Sequence, residues 1–152
     1  MIGLQFKVKN EYNNFLLKIL ASVNVEQYDW DIITDDIIDA NNPKDNDGIF
    51  NAATIDGQHF LHSILKESYY LIFVDLKSFP VGSKHAQIRV FEDFVNSECQ
   101  IILLCVDSIF IELYCKDQQI LETIYKNCLK YGFEDVEFIS FENASNRNMI
   151  AF

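Results

Sequence analysis

The chain has 152 residues and a net charge of −11, with 23 acidic residues against 12 Lys and Arg. Nucleic acids and anionic membranes select Lys and above all Arg, and only Arg89 and Arg147 are Arg, so both partner classes are excluded. The balance leaves room for a basic protein or a divalent cation.

The length predicts one domain spanning residues 1–152. The composition is 49% hydrophobic, with 13 Phe and 7 Tyr, which supplies a core and excludes disorder. Met1 to Lys9 has no apolar stretch of the signal-peptide kind. The apolar runs Tyr69–Val74 and Ile101–Val106 are far shorter than a membrane span. The reading is therefore a cytoplasmic protein with four reduced thiols, Cys99, Cys105, Cys115 and Cys128, none in C-x-x-C spacing.

Ile2, Leu4, Phe6 and Val8 alternate with Gly3, Gln5 and Lys7, which predicts a half-buried strand. Asn10 then caps a helix carrying Tyr12, Phe15, Leu16, Ile19, Leu20 and Val23 on one face. Tyr28, Trp30 and Ile32 alternate with Asp29 and Asp31 as a second strand with an acidic face. The Asp- and Asn-rich stretch that follows, with Pro43 and Gly48, reads as a long acidic loop near 34–54. Asp56 caps a helix bearing Phe60, Leu61, Ile64 and Leu65.

Tyr69–Leu76 is apolar on both faces and predicts a central strand, ended by Phe79-Pro80-Val81-Gly82. A short helix near Val90–Ser97 leads to a second such strand, Cys99–Val106. Asp107-Ser108 reads as the turn of a hairpin whose return strand is Ile109–Cys115, a possible edge strand. A two-residue turn would set Cys105 opposite Phe110 and leave Cys99 and Cys115 on opposite faces, unable to bridge. Asp117 caps the clearest helix, with Ile120, Leu121, Ile124, Cys128 and Leu129 on one side and Gly132 as its stop. Val136–Phe141 is the last strand, before a polar tail near 142–152. The order predicts an α+β, mixed α/β domain: a mixed sheet of about six strands with helices packed on it.

Four segments carry a family likeness: Tyr69–Pro80, Asn96–Asp107, Tyr114–Tyr125 and Tyr131–Ile139. They resemble the bacterial family called domain of unknown function 2691, common in low-GC Gram-positive bacteria. The resemblance covers most of the chain. It implies a bacterial single-domain protein and carries over no catalytic residue.

The acidic stretch is the most informative feature. Glu26, Asp29, Asp31, Asp35, Asp36, Asp39, Asp45 and Asp47 face one base, Lys44, and hold most of the net negative charge. Such a concentration steers a basic protein partner, and Tyr28 and Trp30 beside it are residue types that anchor interfaces. The expected function is a non-enzymatic binding protein, immunity- or regulator-like, with no resident cofactor. Asp45-Asn46-Asp47-Gly48 falls short of an EF-hand: with Gly48 at position 6, Pro43 and Thr54 stand where positions 1 and 12 need acids.

The alternative is a small metal-dependent hydrolase. Asp75 and Asp107 each end an apolar strand, and on parallel neighbours the two carboxylates would hold a divalent cation. Lys77, in D-x-K spacing with Asp75, would assist water. His59 and His62 share a helix face but lack a third zinc ligand. Lys84, His85 and Arg89, with Lys77 nearby, form the basic cluster.

Overall fold

A computed structural model of the protein describes residues 1–44 and 47–151. Chain order gives β1 (Gly3–Lys7), α1 (Phe15–Ile19), a 3-10 turn (Val25–Gln27), β2 (Tyr28–Asp39), β3 (Thr54–Asp56), α2 (Gly57–Ile64) and β4 (Tyr69–Pro80). Then follow α3 (Phe91–Val95), β5 (Ile101–Val106), β6 (Phe110–Cys115), α4 (Gln118–Lys130), β7 (Glu134–Ile139) and α5 (Phe141–Ala144). The strands form one seven-stranded sheet in the order β3-β2-β4-β5-β6-β1-β7.

The α+β class is as the residues predict, with one strand more than counted. The extra strand, β3, is only Thr54–Asp56, too short to show a period. Each pairing is antiparallel, so the parallel pairs that a mixed sheet permits do not occur between these strands. β6 lies between β5 and β1 and is not an edge.

Alternation along the strands feeds two cores. One face presents Leu4, Phe6, Trp30, Ile32, Leu76, Leu103 and Leu113, packed under α1, α2 and α4 through Leu16, Phe60 and Ile124. The other presents Phe79, Ile102, Leu104 and Tyr114 to Phe91 and Phe94 of α3, Ala144 of α5 and Met149. Central β4 and β5 are apolar on both faces because both faces are covered, as their composition predicts.

Local chemistry explains the helix ends. Asp117 accepts from the amides of Gln119 and Ile120, and Gly132 at φ +69° follows the last turn of α4. Asp56 accepts from the amide of His59. The first helix is shorter than its apolar pattern suggests. Asn13 pairs with Tyr69 as an isolated bridge, so α1 starts only after Asn14, and Ser22 at φ 66° lies beyond its end.

β2 runs through Thr34–Asp39, where a loop was expected. The period breaks there because Ile33 is an extra residue against β4, and a second slip follows Asp36. The β5–β6 turn has three residues, since Val106 pairs with Phe110. Asp107 and Ser108 take φ of 52° and 67°, and Cys105 therefore faces Ile111. Cys99 and Cys115 still fall in different cores, and all four Cys are free.

Candidate functional site

The acidic stretch does not fold into one patch. Tyr28 and Trp30 point into the helix-side core, and Trp30 is wholly buried, stacked on Phe60 at 3.9 Å with its indole N–H donating to the Val25 carbonyl. Neither ring is an exposed interface anchor. Asp29 and Asp31 alternate to the opposite face, next to Phe79 and Lys77 on β4.

The bulge at Ile33 then turns the strand over. Asp35 comes opposite Val74 and binds the next loop, its carboxylate accepting from the amides of Ile49 and Phe50 at 2.8–3.1 Å. Burial pushes the Asp35 carboxyl up to about 6, while those amides pull it down. Asp39 binds Lys66 at 3.0 Å and the amide of Asn41, and these bonds hold its carboxyl below the usual range. Asp36 is exposed, and Asp47 lines an open hollow with Asp35 and Asn51. Asp45 lies outside the described residues.

A second cleft opens on the α3/α5 face. Positions two apart on a strand share a face, so Asp75 and Lys77 lie together, flanked by Leu104 and Ile102 on β5 and by Thr34 and Asp31 on β2. Both charged residues are buried, at 1% and 2% exposure, and they pair at 2.5 Å. Desolvation pushes the Asp75 carboxyl up, against the pull of the Lys77 ammonium and the Ala151 amide. Beside the pair is a space of about 330 Å³ lined by Asp31, Ile33, Thr34, Ile88, Arg89 and Ile150 among others. At its rim Asp31 accepts from the Thr54 hydroxyl at 3.0 Å and from His85 Nδ1 at 2.8 Å. The His85 ring stacks on Phe79.

Asp107 does not join Asp75. β4 and β5 are antiparallel, with Asp75 opposite Leu104, and the amide of Ser108 donates to Ile72. Asp107 is thus level with Ile72, about 10 Å along the strand from Asp75. Among the described residues no three His, Cys, Asp or Glu side chains converge as a metal site would require. His59 is tied to Asp56 at 2.8 Å, and His62 is exposed. In the basic cluster Lys84 and Arg89 are exposed, His85 is half-buried and Lys77 is internal. Among the described residues no helix is long and apolar enough to cross a membrane.

The sequence reading missed the far partners of these groups. Arg147 pairs with Glu112 at 2.7 Å, and the segment after it lies over the Asp75–Lys77 pair. The one available signal was a pair of charges on a single face of an otherwise apolar strand. Such charges must neutralise each other or meet buried polar groups.

The fold and its clefts define a single-domain α+β protein with an antiparallel seven-stranded sheet covered on both faces. The chain belongs to a bacterial family described as "Protein of unknown function (DUF2691)", whose model matches residues 1–150. It is similar to "Uncharacterized protein YncE" of Bacillus subtilis (strain 168), 35% identical over 148 residues, which is 97% of each chain. No solved structure matches it.

Proposed function

We propose that the protein is a non-catalytic binding protein whose acidic sheet margin, β2 with β3, docks a basic protein. The observation that carries this reading is the register of that margin: Asp29 stands directly opposite Asp56. Like charges in that relation repel and weaken the pairing. The Asp56 carboxyl is held below its usual range, first by the His59 amide, so it stays ionised. Exposed Asp36 and Glu26 extend the same negative field. A cationic partner relieves the repulsion, and the long-range field speeds its arrival.

The test is titration with a lysine-rich decapeptide at low and physiological salt, followed by backbone amide NMR shifts. Binding at this margin shifts Asp29, Asp31, Thr54 and Asp56, and weakens at least tenfold in the double variant Asp29→Lys/Asp36→Lys. Salt weakens it as well, since exposed charges are screened over roughly 8–10 Å. Equal shifts at Glu134, Asp135 and Glu137 on the far margin, or an unchanged affinity in the variant, overturn the reading.

A further inference from the structure

The cleft beside the Asp75–Lys77 pair is lined by two acids and two bases, Asp31 and Asp75 against Lys77 and Arg89. The protein uses only part of their hydrogen-bonding capacity. Lys77 Nζ donates to Asp75 Oδ1 and to the Met149 carbonyl, two of the three N–H groups of an ammonium. The third has no acceptor among the described residues, on a side chain only 2% exposed. Asp31 receives both the Thr54 hydroxyl and His85 Nδ1 on Oδ1, and among the described residues nothing donates to its Oδ2. Arg147 is paired with Glu112, whereas the exposed Arg89 guanidinium makes no hydrogen bond among the described residues. The rest of the lining includes three isoleucines, Ile33, Ile88 and Ile150. Ile33 is the unpaired bulge residue of β2 and is more than half exposed. Bulges of this kind re-aim side chains beside binding sites.

We propose that this cleft binds a free amino acid with an aliphatic side chain. Its carboxylate takes the third Lys77 N–H and the planar fork of Arg89, which suits a carboxylate. Its ammonium meets Asp31 Oδ2, and its side chain lies on the isoleucines. Leaving a buried N–H without an acceptor is costly, so the floor calls for an oxygen. Phosphate supplies oxygens but would meet two carboxylates, Asp31 and Asp75, in the same lining. A zwitterion matches two charges of each sign, and its zero net charge spares it the repulsion that the chain's −11 exerts on anions. The space of about 330 Å³ is at the small end of the roughly 300–1,000 Å³ typical of ligand sites, which limits the guest to a small molecule. The Asp75–Lys77 pair and the C-terminal segment stay in place, the segment as the wall that carries Ile150.

The experiment titrates the full chain with leucine, with isovalerate, which lacks the ammonium, and with isoamylamine, which lacks the carboxylate. Backbone amide NMR shifts report the site and the affinity. Leucine shifts Ile33, Thr34, Ile88 and Arg89, and each analogue binds at least tenfold more weakly. Two variants assign the charges. Arg89→Gln, on an exposed side chain, weakens leucine at least tenfold and leaves isoamylamine unchanged. Asp31→Asn, which keeps an acceptor oxygen for Thr54, weakens leucine at least tenfold and leaves isovalerate unchanged. An analogue that binds as tightly as leucine, or a variant that weakens all three ligands alike, overturns the proposal. So does the absence of shifts with leucine up to about 10 mM, where a site of millimolar affinity is mostly filled. Water then completes the cleft. Should Asp31→Asn fail to fold, the two analogues on wild type and Arg89→Gln decide.

Discussion

Lys77 and Asp75 stand two positions apart on the central strand β4 and close an ion pair at 2.5 Å, each almost without solvent exposure. Taking two charges out of water costs several kcal/mol per ion before their attraction and hydrogen bonds offset it. Lys77 also donates to the Met149 carbonyl and Asp75 accepts from the Ala151 amide, so one pair on β4 joins residues far apart in sequence.

Breaking the pair is therefore much worse than replacing it. Asp75→Ala leaves the Lys77 ammonium buried beside a lost carboxylate and costs about 3–5 kcal/mol, whereas Asp75→Leu/Lys77→Met together cost far less. Urea unfolding measures both. A double variant as unstable as the single would show that the pair itself stabilises the fold.

The Asp35 carboxyl gives a pH signature. Its folded pKa is pushed up to about 6, above the value of about 3.9 in an unfolded chain. Between these values the folded state holds a proton that the unfolded state has released. Its contribution to stability is full below about pH 4 and is lost as pH rises through about 6. Melting temperature plotted against pH for wild type minus Asp35→Asn should fall across that window. A flat difference curve rules out a raised Asp35.

Three glycines separate strain from crowding. At Gly57 a Cβ would meet the Glu26 backbone at 2.4–2.5 Å, which cannot yield cheaply. At Gly48 (φ +75°) a Cβ would run into the Asp35 carboxylate, and at Gly132 (φ +69°) it meets nothing. Gly132→Ala should cost only about 1 kcal/mol, the left-handed penalty. Gly57→Ala should cost clearly more, and Gly48→Ala should also free the loop amides from Asp35. Chemical denaturation orders the three, and Gly57→Ala as mild as Gly132→Ala contradicts the packing described.

The single Trp and the thiols report burial directly. Trp30, stacked between the sheet and Phe60, should emit at short wavelength and resist iodide quenching until the protein unfolds. Burial pushes all four Cys thiols up to about 12, so a disulfide reagent should leave them unreacted in the native state. Rapid quenching or labelling without unfolding would disprove both placements.

Elements specified by neighbouring residues were legible in the sequence. α4 shows its cap, its apolar stripe and its Gly132 stop within one window. The second half of β2 was not, because two register slips destroy its period and its acids imitate a loop. What makes Thr34–Asp39 a strand is the pairing with β4, distant in sequence. The hairpin was foreseen but its register slipped, since Asp107 and Ser108 both adopt positive φ in a three-residue turn. Asp75 stood out as an acid ending an apolar strand and Lys77 by its D-x-K spacing, while the strand itself was read to stop at Leu76, short of Lys77. Their further partners, the main-chain groups of Met149 and Ala151, have no side-chain signature to read.

Both borders of the sheet carry carboxylates: Asp56 on β3 and Asp36 on β2 beyond the reach of β3, and Glu134, Asp135 and Glu137 along β7. An open antiparallel sheet can grow by joining one copy's border to another's, and here every such junction sets negative against negative. The same charges that would welcome a cationic guest thus oppose the edge-to-edge joining of two copies.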